Sequence, residues 1–84
     1  MGDVTERPIL LVDDQPEIVE LMTRCLRIGG FENITRTHTG TEALEALKID
    51  GDLRHAPHDL VLLDVVLPDK SGFELCEQIK LKYP

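Results

Sequence analysis

The chain has 84 residues, 42% hydrophobic and 30% charged, with nine basic against sixteen acidic side chains and a formal net charge of −7. That length suits one small, marginally stable domain, burying about 60% of its unfolded surface, and the composition excludes disordered, fibrous and membrane-embedded classes. The acidic balance argues against direct nucleic-acid binding, which draws on Lys and Arg to neutralise phosphates, and favours cations and basic partners.

Taken in chain order, Ile9, Leu10, Leu11 and Val12 form a short apolar run that ends at Asp13 and Asp14. Such a run suits a strand covered on both faces, β1, over about 8–12. Pro16 opens a helix, and Ile18, Leu21, Met22, Cys25 and Leu26 recur at helical spacing until Gly29 and Gly30 stop it, predicting α1 over about 16–28. The β-branched residues Ile34, Thr35 and Thr37 predict a polar strand, β2, over about 33–38, better suited to a sheet edge than to its centre. Thr41 is a candidate N-cap, and Ala43, Leu44 and Leu47 give the apolar stripe of α2 over about 41–49. Residues 50–59, with Gly51 and Pro57, read as a loop.

The strongest strand signal is β3, over about 60–66, interrupted by one charge, Asp64. A carboxylate inside an apolar strand is costly without a partner, so its presence calls for a reason. Pro68 ends the strand, Ser71 can cap, Gly72 allows a close approach, and Phe73, Cys76 and Ile79 lie on one face of α3 over about 72–82. The alternation predicts an α/β fold with a parallel sheet and right-handed crossovers, forming a single domain over 1–84. In such sheets ligands bind beyond the carboxyl ends of the strands.

If β1 and β3 are neighbours, Asp13, Asp14 and Asp64 converge at one mouth. Three like charges repel and call for a cation, and an all-oxygen donor set favours Mg²⁺ or Mn²⁺ over zinc. Asp13 and Asp14 read equally well as turn residues at the start of α1; Asp64 shifts the balance towards metal binding. No apolar run is long enough to cross a bilayer, and the charged stretch 1–8 does not read as a secretory signal, so no membrane association and a cytoplasmic location are expected. Cys25 and Cys76 read as small buried hydrophobes, His38, His55 and His58 as solvated loop histidines, and Phe73 as core.

Asp13-Asp14 after an apolar strand, Gly40 before Glu42-Ala43-Leu44, and Asp64 followed by Pro68 and Gly72 together resemble the response-regulator receiver domain of two-component signalling, from about residue 9 to 84. The resemblance implies a flavodoxin-like receiver fold with strand order 2-1-3 and an aspartyl phosphate on Asp64. The phosphoryl group would come from a histidine kinase, a phosphotransfer protein or a small phosphodonor. It further implies Asp14 as a direct Mg²⁺ ligand, Asp13 holding metal-bound water, and the backbone carbonyl of Val66 completing the protein's share. Val66 also matches a family position bordering the path of hydrolytic water, where an apolar side chain slows dephosphorylation.

The chain departs from the family pattern by stopping where a fourth strand is expected. The hydroxyl residue that ends the fourth strand and the lysine that ends the fifth are therefore not carried over, and Lys70 is no substitute. With order 2-1-3, β3 becomes an edge although its sequence is that of a central strand. An apolar edge is a pairing template, so a homo-oligomer through β3 or by element exchange, or a partner covering it, is expected. Two other functions stand beside the phosphoacceptor module: a switching-impaired receiver acting as an oligomerisation or protein-interaction module, and a metal-and-aspartate hydrolase acting on external substrates. No second acid or base near Asp64 in sequence supports the hydrolase.

Overall fold

Four consecutive apolar residues make β1, Ile9–Val12, buried along its whole length, and it lies at the centre of a three-stranded parallel sheet of order β2-β1-β3. The structure is a computed structural model that describes residues 4–83; Met1 to Asp3 and Pro84, on which the readings of the amino-terminal stretch and of the chain's last residue partly rest, lie outside the described residues. A 3-10 turn, Val4–Glu6, precedes β1. Ile9 stands opposite Ile34 and Leu60, and Val12 opposite Thr37 and Leu63. Because side chains alternate along a strand, Leu10 and Val12 face one helical layer while Ile9 and Leu11 face the other.

On the first face lie α2, Gly40–Ala46, and α3, Gly72–Lys82, which contribute Ala43, Leu47 and Leu75 to the core with Leu67. The second face is covered by α1, Pro16–Ile28, through Val19, Met22 and Leu26. Buried Thr23 and Thr37 are satisfied, their hydroxyls donating to the Val19 carbonyl at 2.7 Å and the Leu11 carbonyl at 2.8 Å. Pro16 stands at the start of α1, and Gly30, at φ +94°, turns the chain back towards β2, Ile34–Thr37. That polar strand is an edge.

The buried stripe of α1 shares Met22 and Leu26 with the expected one but not the rest. Ile18, Leu21 and Cys25 face solvent, while Val19 and Thr23 are buried. The helix carries two apolar stripes, and periodicity alone does not choose which one meets the sheet. The same applies to α3, where Leu75 is buried and Phe73, at 75% exposure, and Cys76 are not. Neither cysteine is therefore the buried hydrophobe expected from the sequence.

Helix α2 begins earlier than position 41: its N-cap is Thr39, whose side chain accepts from the Glu42 amide at 3.1 Å. It stops short of 49 because Lys48 takes a left-handed conformation, φ +57°. Ser71 caps α3, accepting from the Glu74 amide at 3.1 Å. At the other end of α3 the Tyr83 hydroxyl donates to the Leu47 carbonyl at 2.6 Å, and Lys82 Nζ to the Gly51 carbonyl at 2.6 Å. These bonds tie the end of α3 to the C-cap of α2 and to the loop that follows it. Among the described residues no helix is long and apolar enough to cross a membrane.

Candidate functional site: an acidic pocket at the strand ends

The carboxyl ends of β1 and β3, Leu60–Leu63, stay in register one residue past each strand. The Asp64 amide donates to the Val12 carbonyl at 2.9 Å, and the Asp13 amide to the Thr37 carbonyl at 3.1 Å. Backbone pairing thus places Asp13 and Asp64 side by side where the sheet ends. Asp14 follows in the turn before α1. The three carboxylates each offer one oxygen, and these oxygens all lie within 4.8 Å of one another. Asp13 and Asp64 are half-buried and Asp14 is exposed.

Asp13 takes part in both the turn and the acidic cluster. Its Oδ1 accepts from the Gln15 amide at 2.9 Å, making the turn that starts α1, and the same carboxylate contributes to the cluster. The His38 ring, through Nδ1, lies 3.2 Å from the Asp13 carbonyl, a bond that requires the proton on Nδ1. Three oxygen donors so arranged fit a hard divalent cation such as Mg²⁺ or Mn²⁺, which takes one or two carboxylates and keeps water and phosphate oxygens in its remaining positions.

The segment after Leu63 leaves the sheet, which is why β3 is shorter than 60–66. The Val66 amide donates to Asp64 Oδ1 at 3.3 Å, the Val65 carbonyl accepts from the Gly72 amide at 2.6 Å, and Val66 and Ser71 form an isolated antiparallel bridge. The result is a closed loop that returns to its own start. A β-carbon on Gly72 would overlap the Asp64 carbonyl oxygen and stand 2.7 Å from Val65 Cα, so the glycine is what lets α3 begin against the Asp64 backbone. The Lys70 side chain lies over Gly40 beside α2.

Sequence reasoning missed Asp69. Its Oδ1 accepts from the Gly40 amide at 2.8 Å, and its Oδ2 from the Thr41 amide at 2.8 Å and the Thr41 hydroxyl at 2.6 Å. The Thr41 hydroxyl and these amides hold its carboxyl down at about 2. An aspartate after a proline reads as an ordinary turn, and its partners lie 28 and 29 residues away. His58 was misjudged too. It is half-buried, with Nε2 3.1 Å from Thr35 Oγ1, whereas His38 and His55 are exposed.

Comparison with known proteins agrees with this geometry. A family model described as the response regulator receiver domain matches residues 9–84. The chain is 39% identical over 80 residues to a probable cyclic di-GMP phosphodiesterase of Vibrio cholerae, covering 95% of this chain and 16% of that protein. It is 37% identical over 76 residues to the probable transcriptional regulatory protein TcrX of Mycobacterium tuberculosis, covering 90% of this chain and 30% of the relative. The solved structure of the chemotaxis response regulator CheY4 of Vibrio cholerae superposes with a TM-score of 0.70 at 26% identity, over 92% of this chain and 63% of that one. The chain thus spans less than a third of these two curated relatives and under two thirds of that structural neighbour. The match to the family model, together with the order of its strands, shows that the chain belongs to the response regulator receiver domain family, as a signalling domain of the two-component type.

Proposed function

We propose that Asp64 of this receiver domain is the phosphoacceptor and that Asp13, Asp14, Asp64 and the backbone carbonyl of Val66 hold Mg²⁺ or Mn²⁺. The observation that carries the reading is the meeting of three carboxylates from two strand ends, with oxygens within 4.8 Å of one another. When bound, the cation neutralises charge on the phosphoryl oxygens and on the acids around them. An Asp64 carboxylate oxygen attacks phosphorus; the new O–P bond forms as the bond from phosphorus to the donor breaks, and the electron pair leaves with the donor. Backbone pairing at Val12 and the Val66 amide orient that carboxylate. A carboxylate is a weak nucleophile, so positioning carries most of the rate.

The donor is a histidine kinase or phosphotransfer protein in the cytoplasm, and turnover is confined to the domain's own aspartate rather than external substrates. The net charge of −7 fits a protein partner rather than nucleic acid. Incubation with Mg²⁺ and a small acyl or amido phosphate adds one phosphoryl mass to the wild type and none to Asp64→Ala. Asp14→Ala weakens Mg²⁺ binding at least tenfold in a calorimetric titration. A wild type that gains no mass defeats the phosphoacceptor reading, and unchanged metal affinity removes Asp14 from its role.

Among the described residues β3 pairs with β1 alone, and Leu60, Val65 and Val66 beside its open edge are exposed. The domain self-associates through this edge or by exchanging elements between copies, which light scattering reads as a mass that rises with concentration.

A further inference from the structure

Helix α2 begins with more capping than its own residues require. Thr39 accepts from the Glu42 amide, the Thr39 carbonyl accepts from the Ala43 amide at 3.1 Å, and Glu42 Oε1 reaches back to the His38 amide at 3.0 Å. That reciprocal arrangement already serves the helix start. The amides of Gly40 and Thr41 are both taken by Asp69, from the loop that begins at Asp64.

The loop closes on itself through the Gly72 amide and the Val66–Ser71 bridge, and its other links to the rest of the fold are few. Val65, Val66 and Pro68 are exposed, and Leu67 alone of its residues belongs to the buried core. Asp69 binds α2 with both carboxylate oxygens and three donors, and two of those donors are backbone groups with little freedom to move. Gly40 leaves room for this docking, since a β-carbon there would overlap the Lys70 side chain and stand 3.2 Å from Asp69 Oδ1. Charge-assisted bonds of this type are short and about twice as strong as neutral ones.

We propose that Asp69 is a positioning residue for the acidic pocket: by clamping the loop to the first turn of α2 it fixes the Val66 backbone and, through the Val66 amide, the Asp64 carboxylate against Asp13 and Asp14. The inference rests on the phosphoacceptor reading of Asp64 and adds to it the element that holds the pocket in shape. Asp69 touches neither the phosphoryl group nor the cation.

The test compares wild type, Asp69→Ala, Asp69→Asn and Tyr83→Phe, with folding checked by circular dichroism. Each is titrated with Mn²⁺ and timed for phosphoryl mass gain from acetyl phosphate. Asp69→Ala weakens Mn²⁺ binding at least threefold and slows modification five- to tenfold. Asp69→Asn, which keeps one acceptor oxygen, falls between it and the wild type and carries the test if the alanine variant does not fold. Tyr83→Phe loosens the opposite end of α2 by removing the bond to the Leu47 carbonyl, so it lowers the melting temperature and leaves both readouts unchanged. Wild-type values in both Asp69 variants overturn the inference, as does an equal loss in Tyr83→Phe. A wild type that gains no mass removes the phosphoacceptor reading and this inference with it, whereas mass gain unaltered by either Asp69 substitution removes this inference alone.

Discussion

His58 shows how one residue couples this small core to pH. Its Nε2 lies 3.1 Å from Thr35 Oγ1, and its buried Nδ1 has no hydrogen-bond partner among the described residues. Burial lowers its pKa below the ordinary 6.5, and the nearby charge of Asp59 opposes that only in part. A group whose folded pKa is lowered binds fewer protons folded than unfolded. Its contribution is thus present above pH 6.5 and lost as pH falls from there through the folded value. Thermal melts are expected to show a melting temperature that falls between pH 7.5 and 5.5, with a smaller drop in His58→Gln. A pH-independent wild-type melt across that interval would contradict the assignment. Nothing in the sequence around His58 separates it from His55, because what buries it is β2, more than twenty residues earlier.

Among the elements, the start of α3 is the most constrained. Gly72 is buried against the backbone of Asp64 and Val65, and backbone cannot yield as a side chain can. Gly72→Ala is expected to cost about 1–3 kcal/mol, as overpacking does, and to displace the loop that carries Val66. Urea denaturation measures the first effect and the phosphoryl mass assay the second; a fully stable, fully active variant would show that the loop adjusts freely. The helices teach a related lesson. Their existence, the Pro16 start of α1 and the Ser71 cap of α3 depend on neighbouring residues and were readable. Their facing was not, since Ile18, Leu21 and Cys25 offer a stripe as apolar as the one that packs.

At the scale of the whole molecule, accessible surface is 5752 Å², against roughly 5,000 Å² expected for a compact monomer of this mass. Apolar side chains such as Leu60, Val66, Phe73 and Leu81 lie exposed along β3, its loop and α3. An unprotected strand edge beside such a surface favours pairing with another chain. Leu60→Lys places a charge at that edge and is expected to shift the light-scattering mass towards the monomer. A wild type that is monomeric at high concentration would refute self-association.

The sequence by itself determined the order of the elements, the parallel α/β architecture and the three acids of the pocket. A doubled aspartate closing one apolar run and a single aspartate inside another are local signals, readable within a few residues. Tertiary structure alone decided which stripe of α1 and α3 is buried, that His58 is sheltered, that Gly72 rests on Asp64 and that Asp69 clamps α2. Each of these depends on groups brought together by the crossovers of the sheet, and the energy of such a contact belongs to the pair rather than to either segment.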